Sequence, residues 1–475
     1  MADLVSVFAE AADRFGSRTA LVEPGGEISF QDLHTRAMGF AARCAANGIS
    51  RGDRIIVAMP VGIDLYIALA AAWSLGATVV FPEPAMGLRG FRHAVKTTQP
   101  RAFFGSGRYR WLRLILPQLW RCKTLAPRAS DTDAHAPAPL TDDDPALISF
   151  TSGSTGAPKA ILRGHGFLMA QKAAVDPLLT TDKDDVDLVA FPVFVLLNLA
   201  AGRTSVLPNW RAGQQDDVTG DALARWIDAN KATRLLLPPA LCETLSRFDL
   251  PDSVHTIFTG GGPVFPGLVE RLKSNQPRLR VVSVYGSTEA EPIAELDWAD
   301  LFPADHNTMA TGGGLLAGKP VPDIRLRIVD EEIQVAGAHV NNGYLNPADD
   351  RSTKLREGDT IWHRTGDAGR LDDEGRLWLL GRLSAVATKN GHRIHPFPVE
   401  VAAQSWPGVT RAALWSGDDR LVLVIEGAGI NETDCARKTV ALGLDDVRVV
   451  SEIPLDRRHR SKIDYPALNA MMRRG

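Results

Sequence analysis

The residues best suited to chemistry are Thr151-Ser152-Gly153-Ser154-Thr155-Gly156-Ala157-Pro158-Lys159. Four hydroxyls, two glycines and one lysine lie behind Ala146, Leu147, Ile148 and Phe150, which read as the end of a buried strand. Small residues leave backbone N–H groups free, and with the hydroxyls and the ammonium they would cradle a polyphosphate. An ordinary Ser/Gly turn between strands is the competing reading. A Walker A loop is excluded, because Pro158 precedes Lys159 where that motif needs glycine.

Further along, Tyr285-Gly286-Ser287-Thr288-Glu289 ends a predicted strand. It offers an aromatic face for a base, a hydroxyl for a phosphate oxygen and a carboxylate for Mg²⁺. Gly260-Gly261-Gly262 reads as a tight turn, or as a bare wall against which a flat ring can lie. His363-Arg364-Thr365-Gly366-Asp367 puts an aspartate after a glycine turn, suited to two ribose hydroxyls or to a plain turn cap. Residues 313–319 spell G-x4-G-K, but Pro320 stands where the Mg²⁺-binding hydroxyl belongs and a strand follows, so this match is false. Lys462 sits in a basic loop, Arg457-Arg458-His459-Arg460-Ser461-Lys462, where a solvated surface is the alternative.

The elements that must position these groups follow an α/β rhythm. Helical spacing covers 5–15 and 33–47, with strands at 19–22 and 28–30. A turn at Arg51-Gly52-Asp53 feeds a strand at 55–59, then a helix over 62–75 and a strand over 78–81, which predicts parallel pairing with crossover helices. Residues 124–145 read as a surface loop, 187–194 as a strand, and Asp221 as the N-cap of a helix running to Lys231. Strands at 233–237, 254–259 and 280–284 and a helix at 266–274 carry the middle; strands dominate 322–381.

A chain of 475 residues predicts two or more domains. Its net charge of −3 gives no overall basic field, so nucleic acid is not expected as a partner. Basic segments at 108–123 and 457–474 read as solvated faces. Four scattered cysteines without a C-x-x-C pair suit a reducing compartment. The N-terminus lacks the pattern of a secretion signal, and the uncharged run 66–81 is short and broken by Gly76, so a cytoplasmic protein with no membrane partner is expected.

In order, spacing and residue type, 151–159, 285–289, 365–367, Gly381-Arg382 and Lys462 resemble the adenylate-forming superfamily of acyl-CoA synthetases, nonribosomal-peptide adenylation domains and luciferases. The resemblance runs from Arg51-Gly52-Asp53 to Ile463. It implies a large N-terminal α/β domain (1–381) with parallel sheets and a β-rich subdomain, a hinge (382–384) and a small mobile α+β C-terminal domain (385–475). It implies activation of a small carboxylic acid by ATP and Mg²⁺ as acyl-AMP, then transfer to a thiol of CoA or an acyl carrier protein. By analogy Thr151, Ser152, Ser154, Thr155 and Lys159 hold the β- and γ-phosphates, Glu289 the Mg²⁺, and Thr288 the α-phosphate. Tyr285, beside Gly286 and Ser287, faces adenine with Gly260, Gly261 and Gly262; Asp367 and Arg382 take the ribose; Lys462 lies between the carboxylate and the α-phosphate.

This chain departs from the family pattern at several places. Ser384 replaces the usual hinge Asp or Lys, Thr388 (next to Lys389) a usual lysine, Val195 a frequent His, and Ser461 the Gly before the last lysine. Phe191-Pro192-Val193-Phe194 with Thr204-Ser205-Val206-Leu207-Pro208, and residues 456–463, look closer to the β-lactone synthetases of bacterial olefin pathways, whereas Gly391-His392-Arg393-Ile394 looks like ordinary acyl-CoA ligases. Lactonisation by the substrate's own β-hydroxyl is therefore the alternative second step. A silent nucleotide-binding protein and a P-loop-like ATPase are the alternatives from other classes. Small or apolar residues around 194–200, 238–240 and 260–262 lean towards an apolar or aromatic acid.

Overall fold

The computed structural model describes residues 3–151, 158–181, 183–210, 217–417, 419–456 and 461–474. Among them the strands form four sheets, of fourteen, six, three and two strands. In the six-stranded sheet, Arg54–Ala58 pairs in parallel with Thr78–Val80 and Ala102–Gly105, as the strand–helix–strand rhythm predicts. The strand Pro145–Thr151 joins Thr78–Val80 in parallel, then turns back antiparallel onto Lys159–Gly164. Its apolar residues are buried because sheet and helices cover both faces. Trp73, fully buried on the helix Ile63–Ser74, donates its indole N–H to the Ala146 carbonyl at 2.8 Å and fixes the height of this strand.

The fourteen-stranded sheet changes character along its width. Val186–Val189, Arg234–Leu237, Thr256–Gly260 and Arg280–Ser287 run parallel, in that spatial order. From Ala290–Asp297 onward the pairing is antiparallel, through Leu315–Pro320, Leu377–Arg382 and Thr360–Leu371. These are the expected parallel sheets and β-rich part. Beyond Lys389 a three-stranded sheet (Val409–Gly417, Arg420–Gly427, Asp446–Val450) packs with the helices Pro396–Gln404, Glu432–Ala441 and Tyr465–Met472 around cores of its own. Glu400, 2% exposed, ties this unit together: its Oε1 accepts from the Leu414 N–H at 2.9 Å and the Tyr465 hydroxyl at 2.8 Å. Burial pushes its carboxyl up to about 7.

Four expectations change. The strand at 187–194 stops at Val189, and Pro192–Ala200 is a helix, since proline at the first helical position is pre-set for helix and has no N–H to waste. Thr219, not Asp221, caps the helix Gly220–Ala229; its hydroxyl accepts from the Ala222 N–H, and Asp221 sits in the first turn. Residues 363–367 form no turn: they lie within the strand Thr360–Leu371, where Gly366 at φ 72° bends the chain. The stretch 124–145 begins in the strand Lys123–Leu125, and Asp131 in it is 6% exposed, gripped by Arg43 at 2.8 Å.

All four cysteines are reduced and buried, and burial pushes the thiols of Cys44 and Cys242 up to about 12. Among the described residues no helix is long and apolar enough to cross a membrane; the run 66–81 spans a buried helix and a strand.

Candidate active site

The registers of the strands bring the chemistry together. Thr151 stands opposite Lys159, so the two ends of the hydroxyl-rich loop are neighbours. Ser152, Ser154 and Thr155, with Gly153 and Gly156, lie outside the described residues. Tyr344 bridges to Ile161 on the strand that Lys159 begins, and the Lys159 ammonium lies 5.2 Å from the centre of the Tyr344 ring.

The Tyr344 hydroxyl donates to Glu289 Oε1 at 2.8 Å, so lysine and carboxylate share one tyrosine. Burial works to raise the Glu289 carboxyl, yet the His363 charge present in acid, the Tyr344 hydroxyl and Lys354 hold it below its ordinary value. Lys354 is buried with its ammonium donating to the Asn341 carbonyl; desolvation lowers it to about 8 despite the pull of Glu289. Desolvation, then Lys354, brings His363 down to about 4, so its ring is neutral at pH 7. The turn carrying Glu289 is pinned on both sides: Arg163 donates to the Thr288 carbonyl, and the Asn341 N–H to the Glu289 carbonyl at 2.7 Å.

A second group sits at the ends of neighbouring strands. Cross-strand pairing sets Asp367 opposite Arg382, whose Nε reaches Asp367 Oδ1 at 3.1 Å. The Tyr285 hydroxyl donates to Asp367 Oδ2 at 2.8 Å. Each carboxylate oxygen keeps acceptor capacity, so the aspartate is fixed in plane yet able to accept further hydroxyls. Desolvation, followed by the Asp367 charge, raises the Tyr285 phenol far above its usual value and keeps it neutral. Glu332 accepts from Arg364 Nε at 2.6 Å and the Gly366 N–H at 3.2 Å, which holds the bend.

The glycine turn and the C-terminal loop meet. A Cβ at Gly260 would lie 2.5 Å from the Val284 carbonyl oxygen, and one at Gly262 would lie 2.0 Å from Ser461 Oγ. Only bare backbone permits either approach. Lys462 follows Ser461 in a loop closed by Asp456, whose Oδ1 accepts from the Lys462 N–H at 3.0 Å, with Leu455 bridged to Ile463.

Thr151, Lys159, Gly261, Gly262, Tyr285, Gly286, Ser287, Thr288, Glu289, Asp367, Arg382 and Lys462 all line one cleft of about 2140 Å³. Gly260 stands just behind its wall. Ser149, Ser287 and Ser461 line the same cleft with buried hydroxyl oxygens that have no hydrogen-bond partner among the described residues. Unsatisfied hydroxyls beside an ionised carboxylate and two lysines suit an anionic, oxygen-rich ligand. The fit to Mg²⁺ is through Glu289 together with substrate phosphates, since Mg²⁺ keeps most of its shell as water and phosphate oxygen; among the described residues no three carboxylate, histidine or cysteine groups cluster to cage a metal.

Sequence reasoning passed over Tyr344, Lys354, Asn341 and Arg163. Of the expected acid-pocket stretch 194–200, Leu196 reaches the cleft, together with Phe191, Val193 and Trp210; Pro238 and Ala240 line it as expected.

Residues 8–345 match the family described as AMP-binding enzyme. The olefin beta-lactone synthetase of Stenotrophomonas maltophilia is 30% identical, over 92% of this chain and 89% of that protein. The 2-succinylbenzoate–CoA ligase of Bacillus licheniformis is 26% identical over 86% of each. Among solved structures, the O-succinylbenzoate coenzyme A synthetase of Bacillus subtilis, in complex with ATP and magnesium ion, shares the fold with a TM-score of 0.79 at 20% identity, covering 98% of this chain and 99% of that one.

Proposed function

Because this chain belongs to the AMP-binding enzyme family, we propose that it activates a carboxylic acid with ATP, forming an acyl-adenylate and releasing pyrophosphate. One observation carries the reading: Lys159, Glu289, Asp367 and the C-terminal Lys462 share a single cleft. In the reaction a carboxylate oxygen bonds to the α-phosphorus while the bond from that phosphorus to the bridging oxygen breaks. The electron pair leaves with pyrophosphate, and no proton need move. Two anions must meet and negative charge gathers on the leaving group, so fixed cations in a water-poor site lower the barrier.

In this reading Asp367 and Arg382 take the ribose, Tyr285 with residues 260–262 flanks the adenine, and Thr288 reaches the α-phosphate. Lys159 with Thr151, Ser152, Ser154 and Thr155 holds the outer phosphates, and Lys462 bridges acid and α-phosphate. Mg²⁺, held by Glu289, supplies neutralising charge to the phosphates. The acid is apolar, since Phe191, Val193, Leu196, Trp210, Pro238 and Ala240 form part of the wall. Residues 1–381 serve as the nucleotide-binding body, 382–384 as a hinge and 385–475 as a lid that withdraws Lys462 before an acceptor enters.

Acid-dependent exchange of labelled pyrophosphate into ATP tests the first step; orthophosphate release, or no exchange with any acid of a broad panel, would sink it. For the second step a thiol of CoA or of a carrier protein is the acceptor. A second reading has its own support, in the similarity to the olefin beta-lactone synthetase. In it the substrate's β-hydroxyl oxygen attacks the acyl carbon, AMP leaves, and the hydroxyl proton passes to solvent. Mass spectrometry of products with and without CoA separates thioester from lactone.

A further inference from the structure

Between Glu83 and Asp131 the chain carries ten lysines and arginines and no acidic residue, although its net charge is −3. A solvated face would explain the charge but not the apolar side chains among it. The helix Gly87–Thr98 and the short turns Gly107–Trp111, Leu112–Ile115 and Pro117–Arg121 share one core, into which Phe91, Val95, Leu116 and Leu119 point. The remaining large side chains face outward: Trp111 is 55% exposed, Leu114 69%, Ile115 53% and Trp120 61%. The Trp120 indole N–H donates to the Arg113 carbonyl at 2.7 Å, which ties Trp120 back to the turn Leu112–Ile115. Arg110 stacks over Trp111 at 4.7 Å, and Arg89, Arg92, Arg113 and Arg121 are exposed nearby. Among the described residues no ion pair engages any of these five arginines. The same segment supplies Arg108 and Tyr109 to the wall of the cleft.

Exposed apolar patches rimmed by charge mark interaction surfaces. Indoles and aliphatic side chains interleaved with arginine match the boundary between lipid headgroups and acyl chains, and an anionic leaflet attracts each such cation. Tryptophan and arginine also serve at protein interfaces, and the carrier-protein arm of the test below separates the two. We propose that residues 107–121, with Arg89 and Arg92, seat the protein on a bilayer carrying anionic lipid, the cleft opening beside that surface. This departs from the expectation, drawn from the short run 66–81 broken by Gly76, that membranes play no part. It stands independently of the reaction proposed above.

The test uses the full chain and vesicles of phosphatidylcholine, alone or mixed with phosphatidylglycerol, read by co-flotation and by tryptophan emission. Two variants are compared: Trp111→Ser with Trp120→Ser, and Arg110→Glu with Arg113→Glu. Each is first shown to keep the thermal midpoint of the wild type. The wild type is expected to float with the mixed vesicles and not with phosphatidylcholine alone. Each variant should bind them about tenfold or more weakly, and added salt should release the wild type. Glycerol phosphate at matched ionic strength should leave binding unchanged. Four results would overturn the proposal. They are failure of the wild type to float with phosphatidylglycerol vesicles, variants that bind as the wild type does, displacement by glycerol phosphate (which would mean a phosphate pocket), or retention by an apo acyl carrier protein with vesicles ignored.

Discussion

The sharpest consequences lie with single side chains. Lys462 lines the same cleft as Lys159, and the role proposed for it rests on its charge. Lys462→Ala is expected to slow acyl-adenylate formation roughly 10²–10³-fold, the scale of losing one fixed stabilising group, while ATP binding is retained. Single-turnover pyrophosphate release set beside nucleotide titration checks this; near-normal release would remove Lys462 from the mechanism. Tyr344 donates at 2.8 Å to Glu289, the carboxylate proposed to hold Mg²⁺. Tyr344→Phe should raise the Mg²⁺ concentration needed for half-maximal exchange roughly 10–100-fold, as a lost hydrogen bond to a charged group would. An unchanged Mg²⁺ dependence would reduce Tyr344 to packing. At this scale the candidate site was readable wherever its residues sit in a short run. Residues 151–159, 285–289 and 365–367 each carry complementary types within a few positions. Tyr344 and Lys354 were not readable, because they lie 55 and 65 positions beyond Glu289 and meet it only once the intervening chain has folded.

Between residue and fold stand the elements, where the informative errors fell. A run of apolar residues after Asp187 suited a strand and a helix alike, and Pro192 decided for the helix by its place at the first turn. The Asp367 segment looked like a turn because of Gly366, yet ladder bonds on either side keep it a strand and aim the carboxylate at Tyr285. Among the helices, Pro396–Gln404 carries the buried Glu400. Its folded value of about 7 lies above the ordinary 4.5, so the folded state binds the proton more tightly than the unfolded chain. Stability is therefore lost as pH rises from about 4.5 to 7, and the loss, on the order of 3 kcal/mol, is complete above that. Glu400→Gln keeps an oxygen for Leu414 and Tyr465 but removes the titration. Urea midpoints at about pH 5 and pH 8 should differ less for this variant than for the wild type, with the variant the more stable at the higher pH. Equal pH slopes for the two proteins would show that Glu400 does not titrate in this window.

For the molecule as a whole, the alternation of strands and helices gave the α/β class from sequence alone, and the pairing of 54–58 with 78–80 follows it. The order of the large sheet did not follow, since long-range pairing is set by packing that no local pattern encodes. The separate cores beyond Lys389 agree with the expectation of a small C-terminal unit. Because Mg²⁺ fits this chain only alongside substrate phosphates, chelation by EDTA should abolish pyrophosphate exchange, reversibly on adding Mg²⁺, without moving the thermal midpoint of the ligand-free protein. A midpoint that falls with EDTA would reveal a structural ion. The four buried thiols carry a practical corollary. A folded protein whose native sulfurs are sealed from solvent is a quiet background for maleimide chemistry, so a cysteine added at one surface position would carry the sole fluorophore or spin probe. Distances from such a probe to the nucleotide could then be followed through a turnover without first stripping the chain of its own cysteines.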